Sequence, residues 1–288
     1  MARDEELRRL LERAIAHGSK LAGAFVGITA ALKSGQPYLA LSTPVIATAL
    51  EEYGKGWIER QLGPRQEARV SRAVTVAVHK INERLSQGQL PRDDGFFDAS
   101  EGHRSGVDEI TEAALLAAMN SAQEKKVDHI AALMASISFN SDIGLEQGYQ
   151  LVELAQSLSY RSFVLLKVFG EATTGSFPPR PDDSVAGLSR DTQSVMVDVF
   201  SLTRLSLMER VTHEGSDDLQ VVLGWGEVEP CFVRLSALGR LLYDGLELKS
   251  LPLDDGVYVR TMSELNRVAE AGNDPPSRVN AAIDGGSY

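Results

Sequence analysis

Asp108, Glu109, Glu112, Glu124, Asp128 and His129 are the side chains of this sequence whose types and spacing come closest to a metal site. A carboxylate-bridged di-iron centre takes one Glu from each of two helices and a Glu-x-x-His pair from each of two others. No Glu-x-x-His occurs among these six. Asp108 and Glu112 share a helix face at i and i+4, as do Glu124 and Asp128, which is the pattern of solvated faces. The other histidines, His17, His79, His103 and His213, are scattered without a His-x-x-x-His spacing. Gly102-His103-Arg104-Ser105-Gly106 is not the Gly-x-Ser-x-Gly of a nucleophile elbow, and Ser105 reads instead as a helix cap. Gly54-Lys55-Gly56 lacks the upstream glycine and the following Ser or Thr of a phosphate-binding loop, and Gly224-x-Gly226 lacks its third glycine. No catalytic residue, metal or cofactor is expected, and the sequence points away from an enzyme.

The loop Gln89–Arg104 carries the other candidates. Its string Leu90-Pro91-Arg92-Asp93-Asp94-Gly95-Phe96-Phe97-Asp98 sets two adjacent phenylalanines among acidic residues. They either tuck back as an anchor or present a contact to a partner, so Arg92, Asp94, Phe96 and Phe97 are the surface-loop candidates for binding. Tyr160 and Arg161, at a helix start, read as packing residues.

The elements that would position these groups are helices. Residues 4–17 place Leu7, Leu10, Leu11 and Ile15 on one side. In residues 64–86, Val70, Val74, Val78, Ile81 and Leu85 recur at helical steps, and Gly88 follows where a C-terminal cap is expected. Further helices are predicted from Ser105 to about Ala122, at 124–139 and 144–157, and from Ser159 to about Ala172. Between Lys20 and Glu51 lie thirty residues with one charge, Lys33. The break Lys33-Ser34-Gly35-Gln36-Pro37 divides them into two apolar helices, each short of the ~20 residues needed to span a bilayer. Thr43 and Pro44 suit the start of the second. The pair reads as a hairpin, 21–62, buried in a soluble domain, with membrane contact only if it leaves its core.

Pro178, Pro179 and Pro181 mark 173–184 as a linker. Beyond it a long helix, Ser189–Thr212, precedes two apolar runs, Leu219–Leu223 and Cys231–Leu235, read as a β-hairpin around Gly224-Trp225-Gly226. Ser236 caps a helix to Leu246. The expected fold is mainly α: an all-α domain over 1–172, then a small winged-helix-like α+β domain over 185–250. Residues 251–288 are expected to form a loosely structured tail.

Composition bounds the partners. The chain of 288 residues is 43% hydrophobic and 24% charged, as in a soluble globular protein, with a net charge of −11. A single cysteine, Cys231, excludes an intramolecular disulfide and fits a reducing cytoplasm. From Arg190 onward there are 16 acidic and 9 basic residues, net −7. A wing reading Gly224-Trp225-Gly226-Glu227-Val228-Glu229 would repel phosphate, so nucleic-acid binding is not expected.

Five strings, Arg65-Gln66-Glu67-Ala68-Arg69, Arg92 to Phe97, Glu109-Ile110-Thr111-Glu112, Glu124-Lys125-Lys126-Val127 and Leu158-Ser159-Tyr160-Arg161, occur in that order. Over about residues 60–170 the chain thereby resembles a family of bacterial helical proteins without an assigned activity. An apolar helical region followed by Leu235-Ser236-Ala237-Leu238-Gly239 is similar in outline to the abortive-infection alpha proteins, with Ser236 where that pattern has Thr. The resemblance implies a phage-defence setting and carries no catalytic residues. The expected function is a non-enzymatic bacterial interaction protein with a protein partner or a second copy of itself. The alternatives are a membrane-acting effector inserting 21–50 and, third, a DNA-binding regulator.

Overall fold

Pro64 at the first helical position and the valine–isoleucine–leucine repeat behind it produce α1, Pro64–Ser86. Proline is pre-set for that position, where its missing N–H has no partner to lose. The Gln66 amide oxygen accepts from Gly63 N at 3.1 Å. Val70, Val74, Ile81 and Leu85 are buried, joined by Ala73 and Ala77, while Val78 is half-buried. The helix stops at Gly88, whose φ of 78° is left-handed; Gln89 N donates to Arg84 O and Gly88 N to Leu85 O, both at 3.0 Å. That is the paired closure of a Schellman end, and glycine adopts it without strain.

The computed structural model describes residues 48–52, 54–55, 62–99, 103–172, 177, 188–211, 226 and 228–270. The helix expected at 4–17, residues 21–47 of the apolar hairpin, nearly all of the linker, the run Leu219–Leu223 and the tail beyond 270 lie outside them. Residues 48–52 and 54–55 are helical, with Ala49 and Leu50 buried and Gly54 set close against Val74. Among the described residues no helix is long and apolar enough to cross a membrane.

The described chain is mainly helical with one two-stranded sheet. It divides into two units: residues 1–160 with 244–248, and residues 161–243 with 249–288. In the first unit α1 is joined by α2 (Gly106–Asn120), α3 (Lys126–Ile137) and α4 (Leu145–Ser157). There α1 packs on α2 and α3, and α2 also packs on α3 and α4. Ser105 caps α2: its Oγ accepts from Asp108 N at 3.3 Å and donates to the Asp108 carboxylate, with both residues buried. Ser105→Ala removes this exchange and is expected to cost about 1–2 kcal/mol, read as a lower urea midpoint at unchanged slope.

The second unit holds α5 (Tyr160–Glu171, entering at its second residue), α6 (Arg190–Arg204), β1 (Met208–Arg210), β2 (Val233–Leu235), α7 (Ala237–Gly245, leaving after Tyr243) and α8 (Gly256–Glu270). Two sequence expectations are corrected in this unit, the end of the helix that begins after Ser189 and the state of residues 256–270. The units divide at the start of α5, where Ser162 to Phe169 are all buried.

The helix expected to run to Thr212 ends at Arg204. Leu207 N donates to Leu202 O and Ser206 N to Thr203 O, with Ser206 at φ 58°. This is again a Schellman end, with a serine where glycine would have announced it. The chain then forms β1, so β2 pairs antiparallel with Met208–Arg210, Met208 opposite Leu235.

Residues 256–270, expected to be loose, form α8. The Asp255 carboxylate accepts from Val257 N at 2.8 Å at its start. Its buried side consists of Thr261, Glu264, Leu265 and Val268, and two polar members interrupt the apolar repeat that announces a helix.

Candidate functional site

The candidate loop lies between α1 and α2 and turns inward. Arg92, Phe96 and Phe97 are buried, and only Asp94 of the four candidates is exposed. The Arg92 guanidinium, 3% exposed, donates through Nη1 to Ile143 O at 2.7 Å and to Ile137 O at 3.3 Å. Its Nε and Nη2 donate to the two Asp94 carboxylate oxygens at 2.9 and 2.5 Å. Arg92 N donates to Ser138 O at 3.2 Å. The last carbonyls of α3 are the negative end of its dipole and have no partner within the helix, so a cation placed there satisfies both needs.

The Arg92 Cζ stands 4.2 Å from the Phe96 ring centroid, and Phe96 meets Phe97 edge-on at 5.4 Å. A Cβ on Gly106 would come within 2.7 Å of the Phe96 ring, so the start of α2 closes on this aromatic pair. The guanidinium also holds the Asp94 carboxyl below the usual carboxylate range. Of the two alternatives for this loop the buried one describes Arg92, Phe96 and Phe97, which anchor it. Tyr160 and Arg161 are also packing residues. Tyr160 is buried, and Arg161 Nε donates to Asp198 at 2.5 Å while its Nη2 donates to Ser194 Oγ at 2.8 Å.

Lys126 does at the end of α4 what Arg92 does at the end of α3. Its Nζ donates to Gln156 O at 2.8 Å and Leu158 O at 2.5 Å, and the side chain is buried. Burial pulls the amine down to about 8. The unfolded chain then binds a proton near pH 10.5 that the folded chain takes up only near pH 8, so this group's contribution to stability rises with pH between those values. The advantage of wild type over Lys126→Met is expected to grow by up to about 1.4 kcal/mol per pH unit from pH 8 to 9.5 in urea unfolding. Measurements stop there because burial lifts the Tyr149 phenol to about 12, and that group costs stability once the unfolded chain ionises near pH 10.

The acidic residues of the metal-like string are set mostly to joining helices. Glu124, in the turn before α3, pairs with Arg69 of α1 at 2.7 Å, and Asp128 of α3 takes Arg72 of α1 at 2.5 and 2.7 Å. Glu112 pairs with Arg104, and Glu109 accepts from Tyr149 Oη at 2.7 Å. His129 Nδ1–H donates to Leu246 O at 2.9 Å, and Glu247 receives Lys80 at 2.7 Å and Arg84 at 2.9 Å. Among the described residues no group of three or more His, Cys, Asp or Glu could hold a metal ion.

Sequence reasoning passed over Lys126 and Glu247 and offered His129 only as a metal-site candidate, because the carbonyls and charges they serve are remote in the chain. In the second unit buried Lys167 donates to Glu171 at 2.7 Å and to Lys249 O at 3.0 Å. Buried Glu264 accepts from Thr192 Oγ1 at 2.7 Å and from Arg267 at 2.5 Å. Burial raises the Cys231 thiol, which keeps it protonated and weakly nucleophilic.

The string Leu235-Ser236-Ala237-Leu238-Gly239 has a structural use of its own. Ser236 Oγ accepts from Gly239 N at 3.0 Å, capping α7, and donates to Ser206 O at 2.5 Å. Ser236 N donates to Leu207 O at 3.2 Å. The turn entering α7 is thereby docked on the turn leaving α6. A threonine hydroxyl has the same donor and acceptor, so the Ser-for-Thr departure leaves the chemistry intact. Comparisons with protein-family models, with curated proteins and with solved structures give no match.

Proposed function

We propose that the protein is a non-enzymatic bacterial interaction protein of the cytoplasm, acting through a protein partner or a second copy of itself in a setting such as phage defence. The observation that supports this reading is the use of the ionisable groups. Arg69, Arg72, Arg92, Lys126, Lys167 and Glu264 close hydrogen bonds between elements or cap helix ends. Such an arrangement holds a helical scaffold in one shape, which is what a recognition surface requires. A winged-helix character for 185–250 belongs to the same proposal, resting on β1, β2 and the capped α7; its surplus of acid over base favours a protein surface over DNA.

The test is in-cell cross-linking of the full chain, followed by sedimentation of the purified protein. A discrete hetero-complex or a defined oligomer is expected. A chain that is monomeric at every concentration and cross-links to nothing discrete would overturn the reading. The apolar residues 21–50 favour a second reading, an effector that acts on membranes. Recovery in the membrane fraction after phage challenge, and not before, would select it. A band shift on duplex DNA at low salt would select the regulator instead.

A further inference from the structure

Five residues, Asp244–Leu248, belong to the first unit, although Tyr243 and Lys249 on either side belong to the second. We propose that this segment is an acid-released latch seated on α1 and α3. This goes beyond the interaction reading and does not rest on it.

The seat is built at four points. Leu246 and Leu248 are fully buried. Gly245 approaches Leu133 of α3 so closely that a Cβ would lie 2.6 Å from its Cδ1. Glu247 turns with φ 50°, a left-handed conformation that a non-glycine residue keeps only when the surroundings enforce it. Enforcement comes from Lys80 and Arg84 of α1 on its carboxylate, and from the bond Glu247 N to Asp244 O at 3.1 Å. The fourth point is His129 of α3, whose Nδ1–H holds the Leu246 carbonyl.

His129 is the member that changes charge in the physiological range. The groups facing it are Asp128 on its own helix, Glu247 on the segment, Lys80 on α1 and the Tyr160 ring at 6.4 Å. Burial is the largest influence and, together with Lys80, outweighs the Leu246 carbonyl, Asp128 and Glu247, which favour the cation, so the seated ring resists protonation. Lys80 opposes the cation as well, since Glu247 and Glu83, against burial, hold its ammonium above the ordinary value. Release of the segment exposes the ring and restores an ordinary imidazole. By linkage, whatever release does to proton affinity, protons do to release: acid favours the open state.

The test is hydrogen exchange on the full chain at pH 7.5 and 5.5, corrected for the intrinsic exchange rate. Peptides spanning 244–248 are expected to lose protection several-fold in acid, while α1 and α2 keep theirs. His129→Asn keeps a donor near the Nδ1 position without the titration, and should remove the pH dependence while leaving the segment protected. Equal loss in wild type and His129→Asn, or no loss in wild type, would overturn the latch. Should the variant fail to fold, NMR titration of His129 in the wild-type chain decides. A midpoint below the ordinary value of about 6.5 supports the latch, and one at or above that value overturns it.

Discussion

Gly239→Ala should destabilise the second unit by about 2–3 kcal/mol, although alanine is the better helix former. Intrinsic propensity alone would favour the substitution by about 1 kcal/mol in α7. The added Cβ, however, would lie 1.9 Å from Leu207 O, 2.8 Å from its carbonyl carbon and 3.3 Å from its Cα. These are backbone atoms of the turn leaving α6, held by Ser206 in its left-handed conformation and by the Ser236 bonds. No side-chain rotation relieves such a contact, and overpacking of rigid surroundings costs about 1–3 kcal/mol or more. The clash therefore wins over propensity.

Gly256→Ala is the matched control: nothing lies within 4 Å of the position its Cβ would take. It should leave the urea midpoint unchanged or raise it. If Gly239→Ala behaved like Gly256→Ala, the close approach of α7 to Leu207 would be wrong, and with it the structural reading of Leu235–Gly239.

Arg92→Met should cost about 2–4 kcal/mol, since each buried carbonyl left without its donor costs on the order of 1–3. Methionine matches much of the arginine stem in volume, so packing loss is small and the polar loss dominates. Two buried carbonyls, Ile137 O and Ile143 O, lose their charged donor, and Phe96 loses the guanidinium stacked on it. Asp94→Asn should cost less, about 1 kcal/mol, because asparagine keeps an oxygen for the guanidinium, the Ile137 and Ile143 carbonyls still hold it, and the Asp94 position is 37% exposed. The asymmetry is the discriminating result. Comparable small losses from both substitutions would mean an ordinary surface ion pair, and would return Arg92, Phe96 and Phe97 to the status of contact residues.

How much of this was legible beforehand follows from how local each determinant is. Pro64 and Gly88 bound α1, Ser105 starts α2, Ser189 starts α6 and Ser236 starts α7, all where their chemistry places them. A cap acts on N–H or C=O groups within about four residues of itself, so the sequence carries the whole interaction. The Phe96-Phe97 pair was legible only as two alternatives, since its burial depends on Gly106 and on the far end of α3.

Other features depend on partners distant in the chain. Helix α6 stops at Ser206 because that residue accepts a left-handed conformation, an allowance that serine types do not advertise. Among the described residues Val233–Leu235 pairs with Met208–Arg210, some two dozen residues upstream in the register, and apolar runs carry no address for their pairing. Helix α8 buries Thr261 and Glu264, which is tolerable only because Thr192 and Arg267 satisfy the carboxylate. Likewise Lys126, His129 and Glu247 gain their roles from carbonyls and charges brought to them by folding. Where helices begin and end was therefore mostly written in neighbouring residues. Which helices meet, and which charges vanish into the joints, was set by packing, because burial turns a solvated side chain into one that must find a partner.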